Sequence, residues 1–259
     1  MPDRNSIEKM EAEKEKDKVV VLDFGGQYSH LIVRRCRELG VYTELLPYDM
    51  PLEELKKGIE REKGKIKGII LSGSPFSVHE PNSPKCSSEI VDLNIPILGI
   101  CYGAQLIAYV EGGVVGEGMK SEFGRAELLL KDCALFEGLT GRGSENGRIN
   151  VWMSHGDVIE QFDGADIIGY TMNSPVAAFR ISNIYGVQFH PEVHHTDKGE
   201  KINAWVWPAK GHLLNGDKKF SQRNKGIDIG GKRGQLVYAT AAGKVVYRGR
   251  GLIGYGKLS

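Results

Sequence analysis

The sequence predicts an α/β fold: a parallel open sheet flanked by helices, with a small antiparallel extension and a partial all-β tail. Three observations carry that prediction. Residues 18–71 alternate short apolar runs with helical patterns in a βαβαβ rhythm, which implies parallel strands with helices on both faces. Residues 95–110 pass from an apolar strand through a glycine-bracketed turn into an apolar helix. Small and polar residues collect just past the strand ends, where open parallel sheets hold their ligands.

Each element follows from its own residues. Residues 1–17 are dominated by Glu, Lys and Asp, the composition of a frayed helix or a disordered leader. Residues 18–24 (Lys-Val-Val-Val-Leu-Asp-Phe) form a buried first strand that ends at Gly25 and Gly26. A helix spans 28–39 with Leu31, Ile32 and Cys36 facing inward, and Gly40 stops it. A second strand (42–46), a polar helix (52–59) and a third strand (68–71) complete the rhythm. Gly25-Gly26 lacks the G-x-G-x-x-G spacing of a dinucleotide loop, so that use is discounted. After Ala108, Gly112 and Gly113 close a helix and the chain turns strand-rich. Residues 127–130 and 148–152 are strands of the antiparallel extension, 153–157 a polar turn, and 176–180 with 184–189 a final hairpin.

Composition bounds the function. The 259 residues are 41% hydrophobic, enough for one α/β core and an appendage. A net charge of +1 draws the chain to neither nucleic acid nor anionic membrane. Cys36, Cys86, Cys101 and Cys133 lack paired spacing, which argues against a disulfide framework and a zinc site. No signal peptide or membrane-length apolar run is visible, so the cytoplasm is the expected compartment.

The chemistry centres on Gly99-Ile-Cys-Tyr-Gly-Ala-Gln105. A cysteine at a strand-to-helix turn stands above the sheet with small neighbours, and the helix N-terminus favours its thiolate. The layout is that of a nucleophile elbow with sulfur in place of oxygen. Taken alone, the stretch equally suits a structural cysteine in a buried turn. Residues 184–192 (Ile-Tyr-Gly-Val-Gln-Phe-His-Pro-Glu) form a strand whose far end carries His190 and Glu192. Two residues apart on a strand, they point to one side, so the imidazole can act as base and the carboxylate can fix its tautomer. Alone, a His-Pro-Glu is more often a loop. Residues 69–75 (Ile-Ile-Leu-Ser-Gly-Ser-Pro) end in a turn around Gly73 and Ser74, whose N–H groups could share an oxyanion with that of Tyr102.

Gly99-Ile-Cys-Tyr-Gly-Ala-Gln105 together with Gln188-Phe-His-Pro-Glu192 resembles the class I (triad) glutamine amidotransferases, a flavodoxin-like fold. Four segments resemble, more narrowly, the glutaminase domain of GMP synthases: Leu22-Asp-Phe-Gly-Gly-Gln-Tyr28, Glu122-Phe-Gly124, Val151-Trp-Met-Ser-His-Gly-Asp157 and Gln188-Phe-His-Pro-Glu-Val-His-His-Thr196. The likeness runs from about residue 18 to about 200. It implies that Cys101, His190 and Glu192 hydrolyse glutamine to glutamate and ammonia, that Gln105 contacts the substrate, and that Ser154, His155 and Asp157 line the glutamine pocket and face a partner domain. His155 is a decoy for the catalytic histidine. Where relatives most often carry Gly-Gly-Pro, this chain has Gly73-Ser74-Pro75, so Ser74 must adopt the turn's dihedrals. The ammonia would serve amination of XMP to GMP. No cofactor is expected in this chain; ATP and Mg would belong to a separate ATP-pyrophosphatase subunit, the expected partner.

The likeness ends near residue 200. Residues 201–259, through Trp205-Val-Trp-Pro-Ala-Lys-Gly211 and Ala239-Thr-Ala-Ala-Gly-Lys-Val-Val-Tyr247, resemble the opening strands of a lysostaphin-type peptidase domain of cell-wall hydrolase activators. Of that family's His-x-x-x-Asp pair only Asp228 remains, with Asn224 in the histidine position, so no metal is expected. Such a half β-domain fits a gene fusion or an assembly artefact. Two rival readings stand beside the glutaminase: a catalytically idle amidotransferase relic acting as a binding module, and an envelope protein steered by its tail. The second would need an export signal.

Overall fold

The computed structural model describes residues 17–131, 133–136, 139 and 146–199. The expected leader, apart from Asp17, and the expected tail segment lie outside them. Nine strands among the described residues make one sheet in the order β2-β1-β3-β4-β9-β8-β7-β5-β6. In chain order these are β1 (Lys18–Asp23), β2 (Thr43–Pro47), β3 (Ile66–Leu71), β4 (Ile97–Ile100), β5 (Val114–Lys131), β6 (Asn146–Gln161), β7 (Asp166–Tyr170), β8 (Ala178–Ile181) and β9 (Ile184–Val187). The helices are α1 (Ser29–Glu38), α2 (Leu52–Glu60) and α3 (Tyr102–Val110). Among the described residues, none is long and apolar enough to cross a membrane.

The parallel half arises as the βαβ rhythm dictates. β1 pairs in parallel with β2 and β3, β3 with β4, and β4 with β9. Side chains alternate faces along a strand, and β1 is apolar at both parities. Val19 and Val21 join a core cluster with Ile32, Val33 and Cys36 of α1. Val20 and Leu22 join a second cluster with Leu55 of α2 and Leu106, Ile107 and Ala108 of α3. The inner face of α1 is thus Ile32, Val33 and Cys36, with Leu31 only half-buried.

The antiparallel part is larger than the small extension expected from sequence. β9-β8, β8-β7, β7-β5 and β5-β6 are all antiparallel, as many pairings as the parallel half contains. β5 has 18 residues and β6 has 16. The sequence understates them because their middles are polar and glycine-containing, so only their apolar ends (127–130 and 148–152) look like strands. Residues 153–157 are accordingly no turn but the centre of β6. Backbone pairing with β5 keeps them extended, save for a break in register at Gly156, while Met153 enters the core and 154–157 line a cleft.

Candidate active site

The sheet order explains why distant residues meet. β1, β3, β4 and β9 are consecutive neighbours and all parallel, so their C-terminal ends lie side by side. Gly25 and Gly26 follow β1, Gly73 and Ser74 follow β3, Cys101 follows β4, and His190 follows β9. Gly26 and Gly73 approach so closely that a Cβ on Gly26 would lie 2.3 Å from the Gly73 carbonyl oxygen. Only hydrogen fits there.

Cys101 occupies the N-cap of α3 with φ 52° and ψ −109°. A non-glycine residue in such a region costs on the order of 1–3 kcal/mol and persists only where the surroundings impose it. Here its N–H donates to the Val187 carbonyl (2.8 Å), and its carbonyl accepts from Ala104 (3.0 Å) and Gln105 (3.1 Å). The elbow expected from sequence is therefore real backbone strain, clamped on both sides. Its Sγ lies 3.7 Å from both the Ser154 carbonyl and Gln188 Nε2. Tyr102 turns its side chain away into the core, its hydroxyl donating to the Pro84 carbonyl at 2.6 Å. Its N–H is left at the first helical position, where no intrahelical acceptor exists. Ser74 is not among the residues with positive φ, so the turn asks no left-handed backbone of the serine.

His190 and Glu192 meet, though not by strand alternation. β9 ends at Val187, and both residues lie in the loop beyond it. His190 Nδ1 is 2.6 Å from Glu192 Oε1, with the carboxylate fully buried. The loop is stitched to β6: His190 N–H donates to the Trp152 carbonyl (2.9 Å), and Thr196 Oγ1 donates to the His190 carbonyl (2.6 Å) while accepting from Trp152 N–H (3.0 Å). The Tyr28 ring stands edge-on to the imidazole at 5.1 Å. Burial pushes the His190 pKa down, but the negative charges of Glu192 and Cys101 and their hydrogen bonds outweigh it and hold it well above 6.5.

A cleft of about 690 Å³ opens over these groups, lined by Gly73, Ser74, Cys101, Gln105, Ser154, His155, Asp157 and His190. The eight come from both halves of the sheet. Gln105 Nε2 donates to the Asp157 carbonyl (2.8 Å) and to Gln188 Oε1 (3.2 Å). Asp157 Oδ2 is buried without a hydrogen-bond partner. His155 sits apart from the Cys101 chemistry: its Nδ1 faces the Asp157 carbonyl at 2.9 Å and its Nε2 faces Glu122 at 3.5 Å. Burial pushes Glu122 up, but the adjacent His155 ring and hydrogen bonds from Ser174 and Thr171 outweigh it and bring its carboxyl down to about 2. Sequence reasoning does not single out Gln188, Tyr28 or Glu122. Gln188 adjoins His190 in the same motif, a signal that could have found it; Glu122 opens the Glu122-Phe-Gly124 segment of the resemblance, but its role becomes visible only through its register opposite His155.

The class-I glutamine amidotransferase family model matches residues 20–206. This chain belongs to the class-I glutamine amidotransferases. It is 50% identical over 187 residues to the glutamine-hydrolyzing GMP synthase of Thermosipho africanus, a match covering 71% of this chain and 34% of the relative. Against the glutamine-hydrolyzing GMP synthase of Debaryomyces hansenii it is 46% identical over 198 residues, 74% of this chain and 35% of the relative. The chain thus spans about a third of the length of these curated relatives. A crystal structure from Thermoplasma acidophilum, assigned as one subunit of a GMP synthase, superposes with a TM-score of 0.59 at 32% identity, covering 72% of this chain and 90% of that one.

Proposed function

We propose that this amidotransferase domain hydrolyses glutamine to glutamate and ammonia through Cys101, His190 and Glu192. The observation that carries the reading is the fully buried Glu192 carboxylate 2.6 Å from His190 Nδ1, with the strained Cys101 elbow on the neighbouring strand end. A carboxylate on Nδ1 fixes the tautomer that presents Nε2 to the sulfur and stabilises the imidazolium.

The Cys101 thiolate attacks the side-chain amide carbon, forming the S–C bond. The oxyanion takes backbone N–H groups of Tyr102 and the Gly73-Ser74 turn. His190 gives its proton to the amide nitrogen, the C–N bond breaks, and ammonia leaves. Water then attacks the thioester, returning a proton to His190 and releasing glutamate and thiolate. The unpartnered Asp157 Oδ2 suits the α-ammonium of glutamine, because a buried carboxylate oxygen gains most from a charged donor. Gln105, its Nε2 already engaged, offers Oε1 to a second donor of the substrate.

The ammonia is meant for amination of XMP to GMP by an ATP-pyrophosphatase partner that binds ATP and Mg. Identity of 50% over about a third of the length of a GMP synthase, and 90% coverage of a chain assigned as one subunit of such an enzyme, support that assignment. The test is release of ammonia from glutamine by the intact chain, with and without an added synthetase subunit. Cys101→Ala should lower release by on the order of a thousandfold or more. No release under either condition, from folded wild-type protein, overturns the enzyme reading in favour of an idle relic.

A further inference from the structure

We infer that Glu122 and His155 are a positioning pair for glutamine binding: Glu122 holds the His155 ring, and His155 holds the Asp157 carbonyl that shapes the substrate end of the cleft. The inference rests on the proposed glutaminase reading and adds two residues to it.

The backbone is least able to hold this wall unaided. Between the paired residues Glu117↔Asp157 and Glu122↔His155, β5 advances five residues while β6 advances two. The ladder is therefore interrupted beside Gly156, where residues 155–157 face the cleft. Side chains take over. Glu122, directly opposite His155, accepts hydrogen bonds from Thr171 Oγ1 (3.0 Å), Asn173 Nδ2 (3.3 Å) and Ser174 Oγ. Those donors flank the turn after β7, so the carboxylate is fixed from a second element of the fold. Its Oε2 then faces His155 Nε2 at 3.5 Å, a charge contact rather than a hydrogen bond, with both side chains at most 6% exposed.

The other ring nitrogen does the positioning. A carbonyl oxygen only accepts, so the contact with the Asp157 carbonyl requires a proton on His155 Nδ1. The same carbonyl accepts Gln105 Nε2 (2.8 Å); Gln105 also reaches Gln188 (3.2 Å), and Gln188 reaches Cys101 Sγ (3.7 Å). Freed from His155, the Asp157-Val158 peptide could turn, shifting the Asp157 carboxylate and loosening Gln105. The sulfur, clamped by the elbow, would stay.

Steady-state glutaminase kinetics and cysteine labelling on the full chain test this. Glu122→Gln and His155→Gln should each raise KM for glutamine by on the order of tenfold, with a smaller change in kcat. The double variant should be no worse than the more impaired single one, because the two act in series. His155→Asn, which keeps a donor at the Nδ1 position, should be less impaired than His155→Gln. Iodoacetamide, which needs only the thiol, should label Cys101 in the variants as in wild type, while a chloroketone analogue of glutamine labels it more slowly. A buried carboxylate with a purely structural role would lower the melting temperature and leave the KM of the folded protein unchanged; that result, or equal chloroketone rates, overturns the inference. If Glu122→Gln does not fold, the contrast between His155→Gln and His155→Asn decides. Wild-type protein inert to both glutamine and the chloroketone refutes the glutaminase reading instead.

Discussion

The two halves of the sheet hold their site residues by different means. In the parallel half, β3, β4 and β9 are only 4–6 residues long and buried on both faces, and Cys101 is placed by backbone alone: a strained φ, a clamped N–H and carbonyl, and glycines that let chain segments touch. In the antiparallel half, β5 and β6 are long, their ladder is interrupted beside the cleft, and His155 and Asp157 are held by side chains: Glu122, itself fixed by the turn after β7, faces the His155 ring, and His155 and Gln105 hold the Asp157 carbonyl. Backbone placement tolerates no added atom. Side-chain placement tolerates atoms but depends on donors and acceptors staying matched.

The largest expected effect tests that contrast with one methyl group in each half. A Cβ on Gly103, the second residue of α3, would lie 2.3 Å from the Leu71 carbonyl oxygen and 2.7 Å from Leu71 Cβ. Neither can swing aside, so α3 must lift from β3. Gly103→Ala should cost about 3 kcal/mol or more and lower the melting temperature by roughly 6–12 °C. A Cβ on Gly156, in the β6 wall, meets only Ser121 Oγ at 3.8 Å, and Gly156 is not among the glycines with positive φ. Gly156→Ala should change stability by no more than about 0.5 kcal/mol. Equal melting temperatures for the two variants would remove the distinction.

Next comes the charge that couples the halves at His190. Glu192 raises the pKa of the imidazole, and in the proposed mechanism the proton it holds there is the one needed by departing ammonia. Because the folded value lies above the unfolded one, near 6.5, the stability this group contributes is full below that pH and is lost as pH rises through the folded value. Glu192→Gln removes the negative charge, so both that loss and the alkaline decline of kcat should begin at lower pH. At neutral pH kcat should fall by on the order of tenfold or more. An unmoved alkaline limb in the variant would show that Glu192 does not set the His190 protonation. Glu122 runs the other way: its lowered value stabilises the fold above about 4.5, and that contribution disappears as pH falls toward about 2.

Legibility in the sequence follows the same division. Gly99-Ile-Cys-Tyr-Gly103 announces an elbow because a strained turn between a buried strand and a helix demands small residues at fixed offsets, and the βαβ rhythm of 18–71 fixes the parallel order around it. The motif shows His190 and Glu192 but misleads on their geometry: the loop after β9, tied to β6 through Thr196 and Trp152, brings them together rather than strand alternation. The β5–β6 wall is harder still to read. Its polar centre has no period-two apolar signal, and the partners that hold it are far apart in sequence. Glu122 lies 33 positions from His155 and 52 from Ser174, where no local pattern can join them.

The smallest expected effect on catalysis falls on the seam between the halves. Thr196 is 3% exposed, and its hydroxyl bridges the His190 loop and β6, donating to the His190 carbonyl at 2.6 Å and accepting from Trp152 N–H at 3.0 Å. Thr196→Val keeps the shape and deletes both bonds, leaving a buried carbonyl and a buried N–H unmatched. That should cost about 2 kcal/mol and lower the melting temperature by roughly 4–8 °C, while Thr196→Ser, which keeps the hydroxyl, should recover most of the loss. Because His190 is also held by its own N–H to the Trp152 carbonyl at 2.9 Å and by Glu192, kcat should fall only a few-fold. A large fall in kcat without loss of stability would mean that the seam, rather than the Cys101 elbow, sets the reach between sulfur and imidazole.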